Sequence, residues 1–163
     1  MDKGEYVPDH FMCRLVKDRL AQPDVLEHGC LLDGFPRKLC QAMAMSQEGI
    51  AVKNIVFIDV PNEDELRERA CGRRMGPSGE IFHIDRRPPP PELEGQLKHR
   101  ADDNPQTFKK RWETYQKEGP PMEGFLGDTY HDRFQKINGL SSIDQVFERI
   151  QKVFEPMHAA MRP

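Results

Sequence analysis

The chain has 163 residues, a length typical of one domain with room for a small inserted lobe. Its net charge of −3 gives no reason to expect binding to nucleic acid or to an anionic membrane, and no apolar run approaches the roughly 18 residues of a membrane span. Its four cysteines include no Cys-x-x-Cys pair, so we expect neither a structural zinc site nor a secreted disulfide framework. We expect the thiols to be reduced and the protein to be cytoplasmic, and a mitochondrial location stays open.

The first third of the chain predicts two helices on either side of a short strand. The first helix begins with Asp9 as its N-cap and is stopped by Pro23. Residues 30–32 are apolar, which is typical of a short buried strand. Residues 39–49 predict the second helix, which ends at a glycine.

A second strand and a third helix follow. Residues 55–60 form a nearly continuous β-branched run, which is typical of a parallel strand covered on both faces. Asn62, with Glu65 three residues later, matches the pattern of a capping box. It opens a helix that we expect to reach about Gly72.

The composition then changes to glycine, proline and charged residues, including four consecutive prolines at 88–91. We interpret residues 73–103 as an inserted lid, with a short strand at 81–84. A helix restarts at Asn104-Pro105, because proline is favoured at the first helical position.

The last part of the chain predicts one more strand between helices. Residues 118–133 contain three glycines and two prolines and predict only one short helix. Residues 134–137 alternate as a strand, and Ser141 with Asp144 resembles the cap of a final helix.

Strands that alternate with helices predict an α/β fold with a doubly wound parallel sheet. The expected organisation is a core segment at 1–72, the lid at 73–103 and the remainder of the core at 104–163.

Residues 31–37, with the sequence LLDGFPR, carry the first chemical signal. An apolar run ends in Asp33, at the edge of a parallel sheet where α/β proteins bind ligands. Asp33 could hold Mg²⁺ through water, or it could be an ordinary turn aspartate. The companion motif of such a site is a phosphate-binding P-loop, yet no glycine in the chain is followed by lysine.

Arginines clustered in the middle of the chain carry the second signal. Arg69 and Arg73 share one helix face, and Arg100 and Arg111 bracket the start of the helix after the lid. Arginine binds phosphate with a bidentate fork, although cations near a helix C-terminus also stabilise its dipole without any function. The pair Asp102-Asp103 could bind lid arginines or form a solvated first turn.

These motifs resemble those of adenylate kinases, the nucleoside monophosphate kinases that interconvert ATP plus AMP and two ADP. The similarity rests on LLDGFPR, on GRR followed by PSGEIFHI, and on R-x-DD followed by a helix with Lys-Arg-x-x-x-Tyr. It runs from about residue 1 to about residue 154. It implies a P-loop kinase fold with a lid that closes over the nucleotides to exclude water, and Mg²⁺ bound with ATP.

The resemblance also implies a role for individual residues. The residues expected at AMP are Glu5, Tyr6, Val7, Gly34, Phe35, Pro36, Arg37, Gln41, Arg100 and Arg111. Those expected at ATP are Arg69, Arg73, Ile81, Phe82 and Ser141. The residues expected to act in catalysis are Asp33, Arg73, Arg100 and Arg111, with Asp33 near Mg²⁺ through water.

The chain departs from the family pattern because the first, central strand and its P-loop lysine have no counterpart in it. We therefore expect phosphotransfer by this polypeptide alone to be impaired. The alternatives are a non-catalytic nucleotide-binding module, or an assembly domain that a partner strand completes. The expected partners are ATP, AMP and ADP, with a monomer if the missing segment completes the fold and an oligomer otherwise.

Overall fold

The computed structural model describes residues 8–160, and the side chains of residues 8–155. The helices are α1 (Asp9–Leu20), α2 (Pro23–His28), α3 (Leu39–Gln47), α4 (Glu63–Cys71), α5 (Pro105–Thr129) and α6 (Ile143–Ala160). The strands are β1 (Ile55–Asp59), β2 (Arg73–Met75), β3 (Ile81–His83) and β4 (Phe134–Asn138). A 3₁₀ helix spans Pro91–Gln96. None of the helices within residues 8–160 is both long enough and apolar enough to cross a membrane.

The chain forms two compact units. The first contains the described residues up to Asp33 together with Asn62–Glu118. The second contains Gly34–Pro61 and the described residues from Gly119 onward. Each unit has its own small sheet.

The sheet of the second unit consists of β1 and β4, which pair in parallel. The N–H of Ile55 donates to the carbonyl of Arg133 at 2.8 Å, and the N–H of Gly139 donates to the carbonyl of Asp59 at 2.8 Å. Both strands lie where the sequence predicted them, and the mixed α/β class with a parallel sheet is confirmed. The prediction that both faces of β1 are covered is wrong at Ile58, whose side chain is half exposed.

The core of the second unit forms where α5 packs against α3 and β1. Ala42, Met122 and Leu126 are its buried residues, and Phe57 and Phe134 pack against them with ring centroids 6.0 Å apart. The prediction of only a short helix in residues 118–133 is wrong, because α5 continues through two prolines to Thr129. Burial of its apolar face outweighs the poor helix propensity of that segment.

The first unit begins with two helices instead of one. Asp9 is the first helical residue of α1, and Pro8 occupies the cap position without a side-chain bond, so the predicted Asp9 cap is wrong. Pro23 does follow the end of α1, but it also opens α2, because its fixed φ suits a first helical turn.

Residues 30–32 do not form the predicted strand. Leu31 is 85% exposed, and no strand of the described residues pairs with this segment. An extended segment needs a neighbouring strand to satisfy its N–H and C=O groups. An apolar triplet therefore does not form a strand by itself.

The segment that the sequence predicts to be a lid contains the antiparallel pair β2 and β3. Its strand at Ile81–His83 was predicted, whereas β2 was missed because an Arg-Arg-Met segment has no strand pattern. Met75 extends the sheet by exchanging backbone hydrogen bonds with Lys98 at 2.8 and 2.9 Å. The N–H of His83 donates to the carbonyl of Arg87 at 2.9 Å and closes the turn after β3.

Candidate functional site

Arg73 and Asp103 form a partly buried ion pair in the first unit. Arg73 Nε donates to Asp103 Oδ2 at 2.8 Å, and Nη2 donates to Oδ1 at 2.5 Å. The Asp103 side chain is fully buried, whereas 31% of the Arg73 side chain is exposed. The hydrogen bonds to Asp103 raise the pKa of Arg73 further above its ordinary value. The sequence left open whether Asp102 and Asp103 bind arginines or form a solvated helix turn. In the structure both of them bind arginines.

Asp102 holds the two other arginines that bracket the start of α5. Arg100 Nε and Nη2 donate to its two oxygens at 3.0 and 2.9 Å, and Arg111 Nη1 lies 3.4 Å from Oδ2. Burial of Asp102 works to raise its pKa, but the hydrogen bond and charge of Arg100 and the charge of Arg111 outweigh burial, so its pKa lies below the ordinary value.

These five side chains form what we call the arginine cluster: Arg73, Arg100, Arg111, Asp102 and Asp103. Three guanidinium groups against two carboxylates leave a formal charge of +1 in a chain whose net charge is −3. Each arginine side chain remains at least 31% exposed while both aspartate side chains are largely buried. The acids thus orient arginines that solvent still reaches, which suits the binding of an anion with several oxygens.

Arg69, the remaining predicted arginine of this unit, belongs to a different group. Its Nε donates to Glu65 Oε1 at 2.6 Å, and Arg86 binds both oxygens of the same carboxylate. Hydrogen bonds from Arg86 and Arg69 lower the pKa of Glu65 to about 2. Sequence reasoning missed Arg86, because its partner on α4 lies 21 positions away and no local pattern marks the pair.

The predicted lid residues lie on β3. Ile81 is half exposed, and the guanidinium of Arg87 lies 6.0 Å from the ring centre of Phe82. His83, the last residue of β3, is buried, and its Nδ1 accepts hydrogen bonds from the backbone N–H groups of Asp85 and Arg86 at 3.1 and 3.2 Å. The turn that follows β3 is therefore fixed by one side chain.

The loop that opens the second unit carries the predicted AMP residues. Gly34 has a φ of 68°, and Arg37 folds back over it, with Nε donating to the Gly34 carbonyl at 2.6 Å. The backbone N–H of Arg37 donates to Gln41 Oε1 at 2.8 Å. Gln41 is only 3% exposed, so the loop and the first turn of α3 form one ordered element.

The other predicted site residues are less informative. Phe35 and Pro36 are half-buried, Asp33 is exposed, and no group of three potential metal ligands occurs among residues 8–155.

Ser141, the residue predicted at the ATP base, accepts a hydrogen bond from Arg149 at 2.9 Å. The predicted cap of α6 is displaced by one residue, since Ser142 and Gln145 exchange hydrogen bonds at 3.3 Å. Glu5, Tyr6 and Val7 lie outside the described residues.

Comparison with known proteins identifies the family. A family model for adenylate kinase matches residues 1–132. The chain is 40% identical over 155 residues to the adenylate kinase, chloroplastic, of Zea mays, an alignment that covers 94% of this chain and 68% of that protein. It is 39% identical over 154 residues to the probable adenylate kinase 2, chloroplastic, of Oryza sativa subsp. japonica, covering 93% of this chain and about half of that protein, 51%. The chain therefore belongs to the adenylate kinase family of nucleoside monophosphate kinases.

Proposed function

We propose that this chain acts on adenine nucleotides as an adenylate-kinase-type phosphotransferase, moving a phosphoryl group from ATP to AMP to give two ADP. The arginine cluster is the observation that carries the proposal. Phosphoryl transfer requires little covalent chemistry from the protein and depends on positioning and on neutralising charge. Guanidinium groups that buried carboxylates already orient meet both requirements.

The proposed roles follow the family resemblance. The three arginines of the arginine cluster contact the transferring phosphoryl group, with Arg69 also on ATP and Arg37 on the phosphate of AMP. The lid closes over the nucleotides and excludes water, with Ile81 and Phe82 near the ATP base. The other contacts proposed are Gly34, Phe35 and Gln41 at AMP and Ser141 at ATP. Mg²⁺ arrives with ATP and keeps its waters, which suits an exposed carboxylate such as Asp33.

The test is an assay that couples ADP formation from ATP, AMP and Mg²⁺ to a measurable signal. Because the 163 residues contain no Gly-Lys step for a P-loop, we expect the polypeptide alone to work below the usual kinase range of about 1–100 per second. Arg100→Gln should remove the remaining activity. Arg14→Gln is the matched control, since Arg14 is highly exposed and pairs only weakly with Asp18 at 3.9 Å.

Calorimetry with each nucleotide distinguishes an impaired enzyme from a binding module. Heat on adding ATP or AMP without any ADP formation would identify a non-catalytic nucleotide-binding protein. No heat with AMP, ADP or ATP would contradict the proposed function. Both relatives are named as chloroplastic. A plastid is therefore proposed as a location for this chain, as an alternative to the cytoplasm expected from the sequence.

A second candidate function, assembly with a partner strand, is favoured by the free edge of β1. Ile55 and Asp59 bond to β4, so Val56 and Ile58 direct their backbone groups to the opposite edge. No strand within residues 8–160 pairs with that edge, and Ile58 is half exposed. Such an edge accepts an extended segment of another polypeptide. Light scattering tests this candidate, and a stable monomer over a wide concentration range would count against it.

A further inference from the structure

Glu65 lies between two arginines that come from different elements of the first unit. Arg69 is one turn further along α4, and Arg86 is in the turn after β3. Arg86 takes both carboxylate oxygens, and its Nη2 also donates to Glu68 Oε1 at 3.2 Å. Arg69 reaches the same carboxylate with Nε alone. We call Glu65, Arg69 and Arg86 the α4 triad.

The way Arg69 is held leaves its binding face available. Its Nε–H is used by Glu65, and within residues 8–155 no other hydrogen bond to its guanidinium is formed. The two terminal nitrogens are therefore left for a ligand, and 33% of the side chain is exposed. An arginine fixed through Nε loses rotational freedom before the ligand arrives, so less entropy is lost when it binds.

Arg86 fixes the carboxylate that holds Arg69. Because Arg86 also pairs with Glu68, the two arginines and two glutamates of this group are formally neutral. Arg86 therefore acts by restraining both oxygens of Glu65 and not by adding net charge. Arg86 is itself held in place, because its backbone N–H donates to His83 and the His83 ring also contacts the carbonyl of Glu68 at 3.2 Å. The turn after β3 thus presents Arg86 to α4 in one orientation.

We propose that Glu65 is a positioning residue for Arg69 in ATP binding, and that Arg86 keeps Glu65 in place for this role by binding both of its carboxylate oxygens. The inference rests on the proposed function, because it assumes that Arg69 meets ATP. It assigns a role to two residues, Glu65 and Arg86, that do not themselves contact the nucleotide.

A second ion pair on the same helix provides matched controls. Arg67 Nη2 lies 2.8 Å from Asp64 Oδ1, and both side chains are at least half exposed. This pair sits within one turn of the α4 triad but shares none of its atoms. Changes to it alter the charge of α4 to the same extent without touching Arg69.

The experiment measures ATP and AMP binding to the whole chain by calorimetry. Glu65→Gln and Arg86→Gln should each weaken ATP binding by about tenfold, and the double variant should be little worse than either, because the two residues act as a unit. AMP binding should change less than about twofold. Asp64→Asn and Arg67→Gln should leave both affinities unchanged.

A second measurement tests whether Glu65 positions Arg69. In ¹⁵N NMR spectra, the Arg69 Nε–H signal should shift in Glu65→Gln and stay unchanged in Asp64→Asn.

The outcomes separate this inference from the proposed function. If the unaltered chain binds ATP and Glu65→Gln binds it equally well while the Arg69 signal moves, the inference is wrong and the proposed function stands. Weakening by the Arg67→Gln control equal to that by Arg86→Gln would reduce the effect of Arg86 to the loss of a positive charge near α4 and would also overturn the inference. If the unaltered chain binds no ATP, both proposals fail together.

Discussion

Gly72 lies at the end of α4 and has no room for a side chain. A Cβ atom there would collide with Nε2 of His83, would lie 2.5 Å from its Cε1, and would approach the Glu68 carbonyl to 3.0 Å. We expect Gly72→Ala to lower the free energy of unfolding by about 1–3 kcal/mol, because the buried imidazole must move out of its hydrogen bonds. Urea denaturation followed by circular dichroism measures the change.

Gly95→Ala is the control for this prediction, since a Cβ at that position meets no atom within 4 Å. It should change stability by less than about 0.5 kcal/mol. Adding His83→Ala to Gly72→Ala should cost less than the sum of the two single changes, because the clash is then absent. An additive double variant would show that the steric explanation is wrong.

Trp112 has a buried indole N–H without a hydrogen-bond partner among the described side chains. Its ring stacks on Tyr115 with centroids 5.6 Å apart. Trp112→Phe removes an unsatisfied donor, whose burial costs about 1–3 kcal/mol, and keeps an aromatic ring. We therefore expect the free energy of unfolding, measured by urea denaturation, to change by less than about 1 kcal/mol. Replacing a packed side chain with a smaller one usually costs more than this. A loss above about 3 kcal/mol would indicate that the N–H is in fact paired.

At the scale of elements, the α4 triad joins α4 to the turn after β3, and its strength depends on pH. The pKa of Glu65 is lowered to about 2 by hydrogen bonds from Arg86 and Arg69. A carboxyl with a depressed folded-state pKa stabilises the fold above its unfolded pKa, and that contribution is lost as the pH falls through the folded value. We expect the Glu65 carboxyl carbon to titrate near pH 2 in ¹³C NMR spectra. Arg86→Gln should move the midpoint upward, and an unchanged midpoint would contradict the contact.

The second half of α5 is held by burial and not by its own helix propensity. Pro120 and Pro121 supply no N–H to the helix, whereas Leu126 is 3% exposed in the core. Leu126→Ala should cost about 2–5 kcal/mol and should speed hydrogen exchange across residues 119–129. Leu140→Ala, at a position 45% exposed, should cost less than about 1 kcal/mol. Unchanged exchange in Leu126→Ala would show that the segment is helical without its core.

The sequence predicts those features whose partners are close in the chain. Asn62 accepts the N–H of Glu65 at 3.0 Å, and Asn104 accepts the N–H of Thr107 at 2.9 Å, as side chains three residues apart allow. The helix starts at α4 and α5 were predictable for this reason. Pairing across long separations was not: Asp103 lies 30 residues from its partner arginine, so the sequence left its role open.

The errors have the same origin. Residues 30–32 were expected to form a strand from their composition alone, but strand formation depends on a neighbouring strand. The helix through Pro120 was missed because its stability comes from packing against residues far away in the chain. Candidate site residues with a recognisable motif could be proposed from the sequence. Their carboxylate partners, above all Glu65, became apparent only from the fold.

At the scale of the whole molecule, the proposed site residues are divided between the two units. The arginine cluster and the α4 triad belong to the first unit, whereas the loop from Gly34 to Gln41 belongs to the second. Each group is ordered within its own unit by hydrogen bonds. The proposed function therefore assigns AMP contacts within each unit, and each assignment can be tested separately.

Hydrogen exchange with AMP tests these assignments. At a concentration of 100 times Kd, a ligand stabilises the state that binds it by about 2.7 kcal/mol, so amides that close around it should exchange more slowly. We expect slower exchange in residues 34–41 and also in residues 100–111, because Arg37 and Arg100 are both proposed to meet AMP. Adenosine, which lacks the phosphate, should protect neither segment to the same degree. A segment whose exchange AMP leaves unchanged would contradict the AMP contact proposed for it, because an amide restrained by a bound phosphate opens less often.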